Sequence, residues 1–572
     1  MPAPQRKALI LGADASAAVA AVQALGRDRV QLHAVCRKDS LAAASRFLSR
    51  VFDAAPESAD PLALQWVRDI DAAERYALVV PTTESSLRIL QACADDDPLR
   101  RKAVLASRAS IETALDKAAT CSLAVSLGIP VPGASVLGRG TTQDYPGNYP
   151  VVLKTLRSQV LRAGRLDYAP ACIARNRAMR DTFIAKWSPH SDIVQQTWVP
   201  GVGWGIECLY DRGRLCWWFA HERLHELPLT GGASTYRRAR SDPPSGLLVA
   251  AETLLDALEW HGVAMVEFRV EPSGRFVLLE INPRFWGSLP LAIAAGVNFP
   301  VGLMRLAAGE RLGTLGPTRD GLAMRNLSED LMWARENWRA DSSDPLLQTH
   351  PRLASLLEWL RVLTGRDRWD HFTWTDPGPG LAQLKLLVRH ALRFVSSRVS
   401  GLAASLHARW QHERSKRRYA KTRARGSRLV FVCHGNICRS PLAEHLARLR
   451  SHGWVVASTG LQATAHAQSP AHVQRVAASM QADLSGHEAR RFTQECLESA
   501  DLVVVMDRAN FKELSSRFPD ARGRILFLGL FGKPGQLEIA DPINFDENAT
   551  MACAMQIRDA IDGLADWTES LK

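Results

Sequence analysis

Val432-Cys433-His434-Gly435-Asn436-Ile437-Cys438-Arg439-Ser440-Pro441 is the stretch on which the reading of the fold turns. Before it, residues 429–432 form a short apolar run that reads as a buried strand. After it, 442–447 read as a helix. Pro441 suits the first helical position, where its missing N–H is no loss. Cys433 and Arg439 therefore bracket a loop ending on a helix N-terminus, where backbone N–H groups and the helix dipole favour a dianion. A thiol at the mouth of such a loop is acidified toward a thiolate nucleophile. Arg439 adds a planar fork suited to two phosphoryl oxygens. Cys-x5-Arg-Ser between strand and helix thus implies thiolate attack on a phosphate.

Other pieces follow in order: Ser458-Thr459-Gly460, His487-Glu488-Ala489-Arg490, Asp501 through Met506-Asp507-Arg508, and Ala540-Asp541-Pro542. With the loop, they make about residues 427–572 resemble the low-molecular-weight protein tyrosine phosphatases. The resemblance implies a flavodoxin-like, doubly wound α/β domain. It also implies roles: Cys433 as nucleophile, Arg439 binding phosphate, Asn436 shaping the loop, Ser440 helping the thiol ionise and leave, and Asp541 as general acid. Chemistry of this kind passes through a cysteinyl-phosphate, with Asp541 first giving and then taking a proton. The family often has an aromatic residue after Asp-Pro; here Ile543 follows. Cys438 has two readings: a small buried apolar residue, or the partner of Cys433 in a reversible protective disulfide, a pair that occurs in some family members. Arsenate reduction, which shares the fold, needs further redox cysteines, and Cys496 and Cys553 sit far apart in no paired motif.

The chain has 572 residues, room for three or four domains, with 46% hydrophobic and 23% charged residues as in globular proteins. No apolar run reaches the roughly 18 residues of a membrane span. The opening Met-Pro-Ala-Pro-Gln-Arg-Lys lacks the apolar core of a secretion signal. Ten scattered cysteines without Cys-x-x-Cys pairs argue against zinc ribbons and disulfide frameworks, and a cytoplasmic location is expected. The net charge of +12 is concentrated in residues 409–428, which hold nine Arg or Lys and one acid, Glu413. We read that segment as a solvated basic linker, with an anionic membrane face or acidic partner as the sharper alternative. Nucleic acid is not expected, because no base-reading module accompanies the run.

The first part alternates strand and helix: strand from Lys7 to a Gly12 turn, helix over 15–25, strands at 30–35 and 77–81. That pattern implies a parallel α/β layer. A helix over 116–127 stops at Gly128, and residues 150–154 form a strand ending in Lys154. Further strands carry Gln195 and Gln196, then Glu267, then Glu280 and Asn282. Period-two geometry puts Glu280 and Asn282 on one face, as hard oxygen ligands suited to Mg²⁺ bridging nucleotide phosphates.

Leu115-Asp116-Lys117, Leu127-Gly128-Ile129-Pro130-Val131-Pro132, Val266-Glu267-Phe268, Glu280-Ile281-Asn282-Pro283-Arg284-Phe285-Trp286 and Ala295-Gly296-Val297-Asn298-Phe299-Pro300 together resemble the ATP-grasp superfamily over about residues 5–320. The resemblance implies a pre-ATP-grasp α/β layer followed by two α+β subdomains. It also implies ATP-dependent activation of a carboxylate as an acyl-phosphate, which an amine or other nucleophile then attacks. Glu267, Glu280 and Asn282 would hold Mg²⁺, Lys154 and Arg284 would contact phosphate, and Gln195, Gln196 and Val199 would run along the adenine. Residues 155–164 hold one glycine instead of a glycine-rich phosphate loop, so Arg157, Arg162 and Arg165 are expected in its place.

Residues 331–339 and 351–363 read as helices, Asp376-Pro377-Gly378-Pro379-Gly380 as a turn cluster, and 381–406 as a long basic helix packing on the ATP-grasp core. A helix of this kind lying on a membrane is the second reading. We divide the chain at 1–115, 116–320, 321–426 (helical and basic linker) and 427–572. The expected function is a bifunctional enzyme: a phosphatase acting on phosphotyrosine or a small phosphate ester, and an ATP-grasp ligase for a carboxylate and an amine. The alternative is a single phosphatase regulated by a non-catalytic ATP-binding module.

Overall fold

The computed structural model describes residues 6–53, 62–141, 147–162, 164–422, 427–450, 453–534 and 536–571. The chain divides into two compact units, Met1–Val388 and Arg389–Lys572.

The first unit begins with four parallel strands in the order Leu48–Phe52, Gln31–Val35, Lys7–Leu11, Leu78–Pro81. Of the two central strands, Lys7–Leu11 is a buried apolar run and Gln31–Val35 buries Leu32, His33 and Ala34, as a sheet covered on two faces requires. Next comes an antiparallel sheet in the order Ala134–Leu137, Ile193–Thr197, Val151–Thr155, Cys172–Ala174. The third sheet has seven strands, running Phe276–Asn282, Gly262–Val270, Val202–Asp211, Arg214–Leu227, Ala233–Arg240, Ala323–Arg325, Asp367–Trp369. In it Glu267 lies directly opposite Glu280, and a bulge follows between Glu267 and Phe268. A cross-strand pair shares one face, so both acids, with Asn282 two residues on, point the same way.

Residues 321–388 are not a linker. Ala323–Arg325 and Asp367–Trp369 complete the seven-stranded sheet, and fully buried Arg325 holds Asp330 at 2.6 Å and Asp367 at 3.3 Å. Nor is 376–380 only a turn, since the helix Gly378–Thr422 starts inside it. Gly378 and Gly380 are there for close approach: a Cβ on Gly378 would sit 2.0 Å from the Ala44 carbonyl oxygen, and one on Gly380 would sit 2.8 Å from Phe372. Pro379 falls in the first helical turn, where no intrahelical N–H is needed.

The second unit is a four-stranded parallel sheet in the order Trp454–Gly460, Ser427–Cys433, Leu502–Val505, Ile525–Phe527. From Ser427–Cys433 the chain goes first to one side and then to the other. The crevice beyond the carboxyl end of that strand is therefore the switch point where ligands bind in such sheets. The following helix, Arg439–Arg450, starts two residues before Pro441; as third residue the proline still lies in the first turn and removes no bond.

The basic segment is helical through Thr422. Gln411, His412 and Ser415 are buried in the second unit, His412 Nδ1 accepting from the Phe527 N–H at 3.1 Å. Lys416 lies over the Phe531 and Trp567 rings. Arg423 and Arg425 fall outside the described residues. Among the described residues, no single helix is long and apolar enough to cross a membrane.

Candidate active sites

In the second unit, the Ser427–Cys433 strand delivers Cys433 to the floor of its loop. Its Sγ lies 3.0 Å from Ser440 Oγ and accepts the Asn436 N–H at 3.2 Å. Asn436 adopts φ +56°, a left-handed conformation that needs support. It has that support: its Nδ2 donates to Ser440 Oγ and Ser458 Oγ, each at 2.9 Å, and its Oδ1 accepts the Arg490 N–H at 2.8 Å. His487 Nε2 lies 2.8 Å from the Asn436 carbonyl. Gly460 makes room for the loop, since a Cβ there would sit 2.7 Å from the Asn436 nitrogen.

Arg439 is buried and reaches Asp507 at 2.6 Å, Asp541 at 2.5 Å and the Ile539 carbonyl at 2.9 Å. Burial would lower its pKa, but Cys433, Asp541 and Asp507 outweigh burial and raise it. Its Nε is buried with no acceptor among the described residues. The structure thus brings together Cys433, Asn436, Arg439, Ser440 and Asp541. Sequence reasoning gave no role to Ser458, His487, Arg490 and Asp507, which brace Asn436 and Arg439, although all four lie in the motifs it quoted.

Cys438 is buried, and burial first, with Asp541 and Cys433 adding, pushes its pKa up to about 12. Cys433 and Cys438 are both free thiols. Cys553, set aside from sequence as remote, belongs to this neighbourhood. Its thiol is 3.4 Å from the Ala540 carbonyl, and its pKa is pushed up to about 12, chiefly by burial, with Asp541 and Cys433 adding and Arg439 opposing. Ile543 and Phe545 are exposed on the turn after Asp541.

The first unit contains a cavity of about 570 Å³ lined by Lys154, Gln196, Val199, Glu267, Glu280, Asn282 and Arg284, together with Lys117, Arg223 and Arg237. Asn282 Nδ2 donates to Glu267 Oε1 at 2.8 Å, and Arg223 pairs with Glu267 at 2.5 Å. Burial would raise the Glu280 carboxyl, but Lys117, Lys154, Arg223 and Arg284 outweigh it and hold it below its ordinary range. Lys154 is lowered by burial, with Glu280 opposing and Lys117 reinforcing. Cations in surplus around a few carboxylates suit a polyanion.

Two expectations are corrected. Gln195 is not on the cavity; it is buried on the other face of its strand, where Arg180 Nε donates to it at 2.8 Å. Period-two alternation allows only one of Gln195 and Gln196 to face a ligand, and the strand itself ends at Thr197, before Val199. The missing glycine-rich loop is a hairpin, Gln159–Arg162 with Arg165–Tyr168, that presents Tyr168 to the cavity. Arg157 turns to Glu112 and Arg162 to Asp167 and the Trp187 ring, and neither they nor Arg165 lines the cavity.

Residues 428–572 match the family model described as low molecular weight phosphotyrosine protein phosphatase. Low molecular weight protein-tyrosine-phosphatase Etp of Escherichia coli (strain K12) is 33% identical over 121 residues, covering 21% of this chain and 80% of that protein. The chain belongs to the low-molecular-weight protein tyrosine phosphatase family. A probable phosphatase of the family, EpsP of Ralstonia nicotianae, is 38% identical to it over 114 residues, 20% of this chain and 77% of that protein. This phosphatase also carries an ATP-grasp domain: residues 190–329 match the model described as ATP-grasp in the biosynthetic pathway with Ter operon. The crystal structure of L-amino acid ligase from Bacillus licheniformis aligns over 55% of this chain and 78% of its own, at 15% identity and a TM-score of 0.42.

Proposed function

We propose that the phosphatase domain hydrolyses phosphotyrosine, or a related phosphate monoester, through a cysteinyl-phosphate. The observation that carries this is the buried Arg439 in a loop whose floor is the Cys433 thiol. Cys433 thiolate forms the S–P bond as the P–O bond to the leaving group breaks, and Asp541 gives its proton to the departing oxygen. Water then attacks phosphorus, Asp541 takes a proton back, and the S–P electron pair returns to sulfur, with Ser440 bonding the released thiolate. Phosphate departs. Phe545, exposed two residues beyond Ile543, offers the aromatic contact that Ile543 does not. The test is hydrolysis of phosphotyrosine peptides against a panel of small phosphate esters, with Cys433→Ser as control. Preference for the peptides supports a protein phosphatase. Preference for one small ester points to a metabolite, and activity surviving in Cys433→Ser removes the nucleophile assignment.

For the ATP-grasp unit we propose ATP-dependent activation of a carboxylate. Glu267, Glu280 and Asn282 converge as hard oxygen donors among surplus cations, a set that fits Mg²⁺. They would hold it, and when bound it supplies neutralisation of phosphate charge. Lys154, Lys117 and Arg284 would bind and orient the phosphates, and Gln196 and Val199 would flank the base. ADP release on addition of a carboxylate and an amine, lost in Glu280→Ala, tests this. The hairpin that replaces the glycine-rich loop favours a second reading, an ATP-binding module that regulates the phosphatase. ATP binding without ADP release, combined with altered phosphatase rate, would select it.

The basic helix we assign to an anionic membrane face, through residues 389–410 of the second unit rather than 409–428. Every third or fourth residue from Leu392 through Val395, Val399, Leu402 and Leu406 to Trp410 is apolar and exposed. Arg389 and Arg393 flank this stripe, and no acidic residue occurs between Asp376 and Glu413. Like charge disfavours pairing with a second copy, while anionic lipid complements it. Co-sedimentation with phosphatidylglycerol vesicles but not phosphatidylcholine vesicles, lost in Val395→Glu, is expected; binding to neither, or concentration-dependent dimerisation, would overturn it.

A further inference from the structure

Behind the wall of the ATP-grasp cavity lies a side-chain cluster that neither proposed reaction uses. His225 comes from the strand Arg214–Leu227, Glu358 from the helix Arg352–Leu363, and His350 from the chain just before that helix. One ligand atom from each of the three lies within 4.8 Å of the others.

The hydrogen bonds around the cluster decide what is missing from it. His225 Nδ1 lies 2.8 Å from Asp330 Oδ1. Asp330 is itself held by Arg325 at 2.6 Å and by the Thr235 hydroxyl at 2.8 Å, so it is a fixed carboxylate acceptor. A carboxylate there places the imidazole proton on Nδ1 and leaves a lone pair on Nε2. That lone pair faces Glu358 Oε2 at 3.0 Å, and both atoms are buried without a hydrogen bond of acceptable direction among the described residues. Two acceptors aimed at each other at this separation repel unless a positive charge lies between them, either a second ring proton on His225 or a metal ion. Arg325 does not supply it, being 3.8 Å from Glu358 and committed to Asp330 and Asp367.

His350 is set for the same point. Asn337 clamps its backbone, accepting its N–H at 2.8 Å and donating to its carbonyl at 3.0 Å. The Leu224 carbonyl bonds its ring. The His225 ring is stacked on Trp333 and cannot swing away. A histidine whose second nitrogen is held by a carboxylate or a carbonyl is the usual setting of an imidazole metal ligand. Side chains of His350 and Glu358 are part-exposed, which leaves an entry path.

We propose that His225, His350 and Glu358 bind a divalent transition-metal cation of the zinc type, with Asp330 orienting His225. Two imidazole nitrogens and one carboxylate oxygen are a borderline-soft set that suits zinc over magnesium or calcium. Zinc–ligand distances of about 2.0–2.2 Å place tetrahedral ligands roughly 3.3–3.5 Å apart, so Glu358, 3.0 Å from buried His225, opens slightly while the part-exposed His350 closes in. The helix Leu327–Arg339 carries Asp330 to this cluster and Glu329 to the cavity, so the cation braces the wall beside the ATP-grasp site.

The test uses the full chain with Cys433→Ser, which removes the reactive thiol as a competing ligand. After EDTA treatment and dialysis, Zn²⁺ is titrated in competition with a chromophoric chelator, and Co²⁺ is added separately to read its visible spectrum. One tight site per chain is expected, weakened at least tenfold by His350→Ala and by Glu358→Gln and unchanged by Glu280→Ala. Zn²⁺ should also raise the melting temperature of the parent but not of the two variants. Equal uptake by the parent and both variants would overturn the site. Should a variant fail to fold, the parent decides alone: Co²⁺ bands of a four-coordinate, nitrogen-ligated ion support the site, and their absence refutes it.

Discussion

The two anion sites are built in opposite ways. The phosphatase loop is contiguous: one run of eight residues, from Cys433 to Ser440, supplies the thiol, the guanidinium and the hydroxyl beside the thiol, and that guanidinium is already matched by Asp507 and Asp541. The ATP-grasp cavity is dispersed. Its charges arrive from separate strands as Lys154, Arg223, Glu267 and Glu280, with cations in excess. A contiguous site concentrates its chemistry in single atoms, whereas a dispersed one spreads it over many.

The largest expected effect tests the concentrated site. Cys433→Ser should cut phosphatase turnover by on the order of 10⁴-fold or more, with thermal stability unchanged. A loss of tenfold or less would place the nucleophile elsewhere. In the dispersed site, Lys154→Met should lower ADP release by about 10²–10³-fold, because Lys117 and Arg284 remain. Loss as complete as that of Cys433→Ser would erase the contrast between the sites.

A third test asks whether the contiguous site is as self-contained as its loop suggests. His412 precedes residues 428–572, yet it is buried in the second unit, where burial, aided by Lys416, lowers its pKa to about 3. Between that value and about 6.5 the unfolded chain takes up a proton that the fold excludes. Stability is therefore full above about pH 6.5 and declines as pH falls, by about 2–3 kcal/mol between pH 6.5 and 4.5. Urea melts of the phosphatase unit should show this slope, and His412→Gln should flatten it. An unchanged slope would mean that the preceding helix does not support the domain.

The smallest effect sharpens the dispersed site. Gln195→Ala should leave ATP affinity unchanged and reduce stability by about 1.5–3 kcal/mol, through loss of its bond to Arg180. Gln196→Ala should do the reverse, and equal effects of the two on ATP would mean that both reach the nucleotide.

How much could be read from the sequence follows the same division. The loop from Val432 to Pro441 carries its own strand, turn and helix signals, so Cys433, Asn436, Arg439 and Ser440 could be placed between a strand and a helix. Glu280 and Asn282 were legible as a same-face pair because period two is a local property. Gln195 and Gln196 were not separable, since alternation fixes that they differ but not which faces inward. Residues 321–388 looked like a connector because Ala323–Arg325 and Asp367–Trp369 are each three residues long, too short for a periodic signal; Arg325 and Asp367 meet only in the fold. Cys553 approaches the loop from a helix more than a hundred residues away in sequence, a proximity that no spacing rule encodes.

The resting partners of Arg439 have one last consequence. A guanidinium spanned by Asp507 and Asp541, at 2.6 and 2.5 Å, is not a bare positive charge waiting for any anion. A ligand enters by ion exchange, taking the place of a carboxylate that already satisfies the fork. A monoanion swapped for a carboxylate gains little, because charge is conserved and geometry is no better. A phosphate dianion brings more charge, so only it would turn the exchange in its favour. The loop therefore sorts its ligands by valence before any contact with the group the phosphate is attached to.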